Sequence, residues 1–442
     1  MSTAFATDYL RDLADCGFAP KPVVAGRLAS FDGLLMEATG LALPVGTVCA
    51  VETPKGAIEA EVIGFRGAKT LLMNLGGAAP LLPQAPVRPI GPPGEAEVGA
   101  ALLGRVVDGA GRPIDGLGAI RGAGHWPLAG KLQSPLDRGR VLEPMDVGVR
   151  AINGLLTVGR GQRIGIMAGS GVGKSVLLGM IVRAAQADVI VIGLIGERSR
   201  EVSDFLETKV AGAARQRAVV VAVPANHSPV LRIRGALRAT AIAEAFRAEG
   251  KNVLLIMDSL TRVAHAGREI GLALGEPASA RGYPPSAIAM LPNLIERAGV
   301  DVTSGGAITA IYTVLADGDD GNDPVVDSAR SILDGHIVLS RALAERAVYP
   351  AIDIGPSVSR VMTDIVGKTH LAAARRLRGH LATYEENRDL ILMGAYRAGA
   401  DPEIDSAIAH HAAILDYVRQ PPDEVVAMDA AVNELVAVFG DG

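Results

Sequence analysis

The sequence is poor in the features that define several common classes of protein. Two cysteines in 442 residues, Cys16 and Cys49, are too few for a disulfide framework or a cysteine-rich metal site, and suit a reducing compartment. No apolar run approaches the roughly 18 residues of a spanning helix, and residues 1–20 lack the apolar core of a signal peptide. Acidic residues outnumber basic ones by 48 to 43. The chain therefore lacks the overall positive charge that favours non-specific binding of nucleic acid. We therefore expect a cytoplasmic protein that does not bind nucleic acid and can associate peripherally with a membrane.

The first part of the chain has the sequence pattern of a small antiparallel barrel. Residues 23–90 alternate apolar and polar positions in short segments that are broken by turn residues every eight to twelve positions. Residues 80–93 carry six prolines and are predicted to be a linker. Phe5, Tyr9, Leu13 and Cys16 fall at helical spacing, which predicts a short leading helix that either caps the barrel or anchors the chain to a membrane or a partner. We expect an N-terminal domain of residues 1–92.

The middle of the chain changes to continuous apolar runs. Five such runs lie at residues 164–168, 189–195, 219–223, 253–257 and 308–314. Strands that are buried on both faces of a parallel sheet have this pattern, and the segments between the runs have helical length. From about residue 361 the runs stop and helical periodicity takes over. The sequence therefore predicts an α/β core over residues 93–364 and a helical domain over residues 365–442.

A phosphate-binding loop follows the first run. It carries the pattern of strand, glycine-rich turn, lysine and helix that cradles phosphate oxygens with backbone N–H groups. An alanine replaces the first glycine of the usual pattern. We expect Lys174 to reach the β and γ phosphates and Ser175 to bind Mg²⁺. The residues assigned to nucleotide binding are Ala168, Gly169, Ser170, Gly171, Val172, Gly173, Lys174, Ser175 and Val176.

Acidic residues follow two other runs, where ligands bind in sheets of this kind. Glu197 comes just after the second run and could polarise the water that attacks the γ phosphate. Spacing alone leaves open that it belongs to a solvated charge cluster that opens a helix. Asp258 ends the fourth run and is predicted to be the second acid on the magnesium side.

Residues further along the chain allow either a functional or a structural interpretation. Tyr349 could stack on an adenine and Arg360 could stabilise the transition-state charge, but a packed tyrosine and a surface arginine fit equally well. Two basic groups are interpreted as solvated helix faces. These groups are Arg232, Arg234 and Arg238, and Arg375, Arg376 and Arg378.

Six motifs together resemble a known family over nearly the whole chain. They are AGSGVGKS at 168–175, GERSRE at 196–201, LLIMDSLTR at 254–262, GYPPS at 282–286, ILDGHIVLSR at 332–341 and YPAID at 349–353. In combination they resemble the flagellar protein-export ATPases, a branch of the type III secretion ATPases related to the β subunit of the rotary ATP synthase. Residues 384–391 and 394–401 favour the flagellar branch over the injectisome branch.

The resemblance implies an Mg²⁺-dependent ATPase with an N-terminal barrel, a RecA-like core and a helical C-terminal domain. It implies a homohexameric ring with ATP bound between subunits. Glu197 would activate water, Asp258 would hold the magnesium shell, and Arg198 and Arg262 would support the γ phosphate. Tyr349 would border the adenine. A neighbouring subunit would supply Arg360 as an arginine finger.

The resemblance also implies partners at the inner face of the cytoplasmic membrane. They are a stator-like negative regulator, a coiled-coil stalk protein, a membrane export gate, and export substrates with their chaperones. We expect the helical spacing around Phe5, Tyr9 and Leu13 to serve the regulator contact and ring formation. Two departures from the family pattern, Ser199 for glycine and Ala316-Asp317 for Val-Glu, affect local loop geometry only.

Three alternative functions stay open from the sequence. An injectisome ATPase would share all of these motifs. An RNA translocase of the terminator type would need interleaved basic and aromatic residues on its barrel, where only Phe31 and Phe65 with a few cations are available. A non-catalytic ring subunit would tend to lack the acid at Glu197.

Overall fold

A computed structural model of the chain describes residues 25–77, 79–91, 94–315 and 323–440. The chain divides into two compact units, residues 1–93 and 94–442. The predicted leading helix around Phe5, Tyr9, Leu13 and Cys16 lies outside the described residues, as does the Ala316-Asp317 departure. Within the described ranges, no helix combines the length and the apolar character that crossing a bilayer requires.

The first unit contains a closed six-stranded barrel, as the alternation predicts. Its strands are β1 (Gly26–Phe31), β2 (Leu35–Thr39), β3 (Val48–Thr53), β4 (Gly56–Arg66), β5 (Lys69–Asn74) and β6 (Pro86–Gly91). They pair antiparallel in the order β1-β2-β5-β4-β3-β6, and β6 returns to β1. Inward residues such as Leu28, Val62 and Leu72 form the barrel core. A turn between β1 and β2 is held by the Asp32 carboxylate, which accepts the N–H groups of Leu34 and Leu35.

The proline-rich segment is not only a linker, and this part of the prediction is wrong. Residues 86–91 form β6, which closes the barrel between β1 and β3. Proline lacks a backbone N–H and is tolerated at the first residue of a strand or at a bulge. Pro86 is the first residue of β6, and Pro89 lies beside a shift in register with β3. Pro86 lies opposite Arg27, and Pro89 lies opposite Cys49.

The second unit is built on one large, mostly parallel sheet. Its strands are β7 (Glu95–Val98), β8 (Val106–Val107), β9 (Gly124–Pro127), β10 (Arg138–Gly139), β11 (Arg163–Ala168), β12 (Val189–Ile195), β13 (Ala218–Val223), β14 (Asn252–Asp258), β15 (Gly299–Asp301), β16 (Ala307–Leu315), β17 (Gly335–Leu339) and β18 (Ile352–Ser359). The main path runs β18-β17-β11-β16-β14-β12-β13-β8, and β15 and β10 extend it off β16. Strands β7 and β9 form a separate pair.

The five predicted runs become the five adjacent central strands, in the order β11-β16-β14-β12-β13. All pair in parallel and are almost wholly buried, which confirms the interpretation of the continuous apolar runs. The flanking strands β17 and β18 were not predicted. β17 alternates buried and half-buried residues, and β18 contains Gly355 and Pro356, so neither has a continuous apolar run.

Helices cover the sheet and form the end of the chain. They are α1 (Arg150–Leu155), α2 (Lys174–Ala184), α3 (Ser199–Thr208), α4 (Ala213–Gln216), α5 (Pro229–Ala248), α6 (Leu260–Leu274), α7 (Pro285–Ile295), α8 (Pro324–Ile332), α9 (Arg341–Glu345), α10 (Met362–Ile365), α11 (Lys368–Leu392), α12 (Pro402–Val418) and α13 (Met428–Phe439). Short 3₁₀ turns lie at Ala100–Leu102, Pro135–Asp137 and Ala280–Gly282.

The terminal helices α11, α12 and α13 join the hydrophobic core of the second unit. Leu377, Ile414 and Leu435 belong to the same buried cluster as Ile152 of α1 and Ile166 of β11. The helical content predicted beyond residue 361 is therefore confirmed. The boundary at residue 365 stays a prediction.

The interpretation of the first arginine group as a solvated helix face is wrong. Arg232, Arg234 and Arg238 are all buried on α5. Arg232 forms an ion pair of 2.7 Å with Glu269, and Arg238 donates to the carbonyl of Ala110 at 2.9 Å. These side chains hold neighbouring segments together, which is why their burial is tolerated.

In the second group only Arg375 is exposed. Arg376 and Arg378 are half-buried and donate to backbone carbonyls of Phe439 and Ser357 at 2.9 Å and 2.6 Å. Here too the solvated-face interpretation is wrong for two of three residues.

Candidate active site

The glycine-rich turn joins β11 to α2 at the carboxyl edge of the sheet. Strand β11 ends at Ala168 and helix α2 begins at Lys174. Gly171 and Gly173 have φ angles of 80° and 90°, which only glycine adopts without strain. The turn therefore presents its backbone N–H groups at a helix N-terminus, where the helix dipole favours an anion.

The remaining residues of this turn differ in exposure. Gly169 and Val172 are buried, which anchors the turn in the fold. The outward positions are Ser170, Gly171, Ser175 and Val176. The hydroxyl of Ser175, in the first turn of α2, is thus available to a ligand.

Lys174 lies between the two carboxylates that the sequence predicted. Its Nζ atom is 2.5 Å from Asp258 Oδ1 and 3.4 Å from Glu197 Oε1. The three side chains are only 12, 6 and 12 per cent exposed for Lys174, Asp258 and Glu197. The parallel sheet causes this convergence, because β14 pairs in register with β12 and sets Asp258 opposite Leu194, next to the end from which Glu197 projects.

The charges of this cluster depend on one another. Burial alone would lower the pKa of Lys174, but the charges of Asp258 and Glu197 outweigh it, so this pKa is raised. Burial raises the pKa of the Glu197 carboxyl, the Lys174 charge opposes that rise, and the Asp258 charge adds to it. Lys174 is therefore held as a cation, and the pKa of the Glu197 carboxyl is raised, as a base that accepts a proton from water requires.

The oxygen atoms at this edge fit a magnesium ion. Asp258 supplies a carboxylate and Ser175 a hydroxyl, and Mg²⁺ in nucleotide sites takes one or two such protein ligands beside phosphates and water. Asp258 Oδ1 accepts hydrogen bonds from Lys174 and from the Thr313 hydroxyl at 2.6 Å. Within the described residues, Asp258 Oδ2 has no hydrogen bond, which leaves this oxygen available to a ligand.

Arg262 packs against the backbone beside Glu197. Gly196 has a φ of 74°, and a Cβ atom there would come within 2.6 Å of Arg262 Cβ. Arg262 Nε is buried and has no hydrogen-bond partner within the described residues. A buried donor without an acceptor is costly, and a phosphate oxygen would satisfy it.

Tyr349 borders the same turn. A Cβ atom at Gly173 would lie 3.5 Å from two ring carbons of Tyr349, whose side chain is partly exposed. The Tyr349 carbonyl accepts the backbone N–H of Gln420 at 2.9 Å. The Gln420 side chain, almost fully buried, accepts from the Arg150 N–H and donates to the Gly148 carbonyl. Gln420 thus connects the tail helices to the predicted adenine contact.

The two other predicted arginines do not reach the cluster within one chain. The Arg198 side chain is 86 per cent exposed and forms an ion pair of 3.4 Å with Glu201. Arg360 is exposed at the end of β18 and donates to the Arg330 carbonyl at 3.2 Å. Within the described residues, no hydrogen bond or ion pair connects either arginine to the glycine turn, so both roles stay predictions.

Two residues that contact the site, Thr313 and Gln420, were not predicted from the sequence. Thr313 lies inside the fifth apolar run, where a polar residue in a strand buried on both faces is a usable signal for a buried partner. Gln420 lies in the loop after α12, about 70 residues beyond Tyr349 in the chain, and its contact depends on tertiary packing alone.

Comparison with family models identifies two regions of the chain. Residues 148–359 match the model described as "ATP synthase alpha/beta family, nucleotide-binding domain". Residues 366–437 match the model described as "T3SS EscN ATPase C-terminal domain".

Curated relatives match over nearly their full length. The flagellum-specific ATP synthase of Pseudomonas aeruginosa is 51% identical over 426 residues, covering 96% of this chain and 94% of the relative. That of Salmonella typhimurium is 50% identical, with coverages of 94% and 93%. The type 3 secretion system ATPase of Xanthomonas euvesicatoria is 46% identical, covering 94% of each chain.

Solved structures show the same fold. The assembled ATPase EscN from the type III secretion system of enteropathogenic E. coli superposes with a TM-score of 0.89 at 42% identity, covering 94% of this chain and all of that one. EscN in complex with its central stalk EscO gives a TM-score of 0.86, also at 42% identity and with the same coverages.

Proposed function

This chain belongs to the family of flagellum-specific ATP synthases and type III secretion ATPases, which hydrolyse ATP, and on that premise we propose that it drives flagellar protein export as a homohexameric ring. The observation that carries the proposal is the convergence of Lys174, Glu197 and Asp258 at the glycine turn. It supplies a phosphate-binding cation, a base and a magnesium-side acid within one buried cluster. We assign Mg²⁺ as the cofactor because the donor atoms are oxygens.

The proposed reaction uses each of these groups once. Binding of the triphosphate draws Lys174 from Asp258 to the β and γ oxygens, while the turn N–H groups hold the phosphate chain. Ser175 and Asp258 would hold Mg²⁺, which would supply positive charge to neutralise the phosphate oxygens. Glu197 orients the attacking water and accepts its proton. Arg262 contacts the transferring phosphoryl group.

The ring is proposed because one chain leaves the site incomplete. Arg360 is exposed and, among the described residues, forms no hydrogen bond or ion pair with the turn of its own chain, as expected for a residue that acts on a neighbour's nucleotide. The solved structure of EscN as an assembled ATPase supports this arrangement. ATPase activity per subunit should rise steeply with protein concentration, and a flat profile would contradict completion of the site by assembly.

The flagellar assignment is supported by the balance of identities. Flagellar relatives from Pseudomonas aeruginosa and Salmonella typhimurium are 51% and 50% identical, compared with 46% for the Xanthomonas euvesicatoria secretion ATPase. The test is complementation. Expression of this chain in a Pseudomonas aeruginosa strain without its flagellum-specific ATP synthase should restore swimming and secretion of flagellin. Rescue of an injectisome strain alone would instead favour the virulence branch.

The proposed partners follow the family. The complex of EscN with its central stalk supports a coiled-coil stalk protein inside the ring. We further propose a stator-like negative regulator, a membrane export gate, and substrate–chaperone complexes that the ring releases and unfolds at the inner face of the cytoplasmic membrane. Deletion of residues 1–18 should abolish pull-down of the regulator while nucleotide binding persists.

An RNA translocase is the weaker alternative. Phe31 and Phe65 are exposed on the barrel, but the neighbouring cation Arg66 is held by Glu37 at 2.9 Å. Few cations remain to track a phosphate backbone. Stimulation of hydrolysis by RNA would favour this alternative, and its absence is expected. A non-catalytic subunit is disfavoured by Glu197.

A further inference from the structure

Thr313 contacts the proposed magnesium-side acid from inside the sheet. It lies on β16 between β11 and β14 and is fully buried. Its Oγ1 atom is 2.6 Å from Asp258 Oδ1 and 3.4 Å from the Met257 carbonyl. A hydroxyl carries one proton, so the shorter contact identifies Asp258 as the acceptor.

This hydrogen bond distinguishes the two carboxylate oxygens of Asp258. Oδ1 accepts from both Lys174 and Thr313, whereas Oδ2 has no hydrogen bond within the described residues. When a triphosphate draws Lys174 away, Thr313 is the donor that still fixes the rotation of the carboxylate. The acid then keeps Oδ1 bonded to the protein, and Oδ2 would be available to the metal and its water shell.

We propose that Thr313 is a positioning residue that sets the Mg²⁺ affinity of the nucleotide complex by orienting Asp258. The inference rests on the proposed function, since it assumes that Asp258 serves a nucleotide-bound magnesium ion. Thr313 itself does not contact the reacting atoms.

The buried surroundings of Thr313 indicate that its hydroxyl has a specific role. Thr313 is flanked by Tyr312 and Val314, which are buried, and valine has nearly the same shape as threonine. A buried hydroxyl is costly unless it is paired, so packing alone would favour valine. Its partner is a carboxylate, and hydrogen bonds to charged groups are the stronger kind.

The same strand supplies a matched control. Thr309 is also fully buried on β16, and its hydroxyl accepts the Gly161 N–H at 2.8 Å at the opposite end of the sheet. Thr309→Val removes one buried hydrogen bond from the same strand without touching Asp258. Thr309→Val therefore has a structural cost like that of Thr313→Val, but it leaves the hydrogen bond to Asp258 intact.

The experiment compares full-length wild type, T313V, T313S and T309V. Binding of a fluorescent ATP analogue is titrated with Mg²⁺ at fixed nucleotide, and binding without Mg²⁺ and thermal melting are recorded in parallel. T313V should raise the half-saturating Mg²⁺ concentration about tenfold or more, with binding in the absence of Mg²⁺ unchanged. T313S should return within about twofold of wild type, and T309V should match wild type. The Mg²⁺ dependence of ATP hydrolysis should shift in parallel.

Each other outcome has a defined meaning. A T313V protein with the wild-type Mg²⁺ curve would overturn the inference and leave the proposed function intact, as would an equal shift in T309V. A wild-type protein that binds no nucleotide would instead overturn the proposed function. If T313V does not fold, T313A replaces it under the same expectation, and T313A with an unshifted curve refutes the inference.

Discussion

The Lys174 ammonium and the Asp258 carboxylate form a buried ion pair of 2.5 Å, and Glu197 completes the cluster from the other side. One cation thus compensates two acids that the sheet forces close together. Lys174 therefore stabilises this edge of the sheet, in addition to its proposed role in binding phosphate.

Lys174→Ala should abolish nucleotide binding and also make stability depend on pH. Without the lysine, the pKa of Glu197 rises further, because the charge that opposed its rise is lost. A carboxyl with a raised folded-state pKa contributes stability at low pH that is lost as pH rises. The melting temperature of the variant should therefore fall further below wild type at pH 8 than at pH 5. Melting curves at the two pH values measure this, and a constant difference would contradict it.

Glu197→Gln should keep nucleotide binding and lose hydrolysis. The amide preserves size but cannot accept the proton of the attacking water, so kcat should drop roughly 10²- to 10⁴-fold. Glu207→Gln is the control, because Glu207 is an exposed acid near the far end of the same helix α3. Steady-state kinetics and nucleotide titration separate the two effects. Parental turnover in E197Q would remove Glu197 from the mechanism.

Arg360→Ala should keep nucleotide affinity while turnover falls roughly 10³-fold or more, since an arginine finger acts on the transition state. The variant should also inhibit rings mixed with wild-type subunits. Arg375→Ala, at an exposed position on α11, should keep wild-type turnover and should not inhibit mixed rings. Activity measured against the fraction of variant subunit is the readout. A linear decline without excess inhibition would place Arg360 outside the shared site.

Glu37 should make the barrel sensitive to acid. Hydrogen bonds from Lys69 and Ser30 lower the pKa of Glu37 to about 2. A lowered pKa contributes stability above about pH 4.5 that is lost as pH falls toward 2. Glu37→Gln lacks this contribution, so the difference in barrel stability between the two proteins should shrink as pH falls from 5 toward 3.

Cys49 provides the readout for that experiment. It is fully buried in the barrel core, and burial raises the pKa of its thiol to about 11. The readout is the rate at which the Cys49 thiol reacts with a disulfide reagent that works in acid, since this thiol is reached only when the barrel opens. A Cys16→Ser background removes the other thiol. Equal acid dependence with and without Glu37 would refute the prediction.

Gly154→Ala should loosen the tail helices from the core. A Cβ atom at this position of α1 would overlap the Tyr417 hydroxyl, which donates to the Ala431 carbonyl at 2.8 Å. Overpacking of this kind costs about 1–3 kcal/mol in the free energy of unfolding. Tyr417→Phe removes the clashing oxygen and should recover part of the loss in the double variant. Chemical denaturation of the four proteins gives the coupling energy, and strict additivity would exclude the clash.

The sequence was informative wherever one local pattern determines structure. The continuous runs predicted the five central strands, and the residues that end them predicted where Lys174, Glu197 and Asp258 converge. Strand β6 was missed because its prolines indicate a linker, although proline is tolerated at the start of a strand and beside a shift in register. The position of Thr313 in a buried strand indicates a buried partner, but the identity of that partner and the burial of Arg238 depend on which segments meet in three dimensions.

Gln420 links distant parts of the chain through a single buried amide. Its own N–H fixes the Tyr349 carbonyl, and its side chain is fastened to the segment that leads into α1. A displacement of the tail helices would therefore be transmitted to Tyr349 through Gln420. Movement of these helices and occupancy of the predicted adenine position are expected to be coupled.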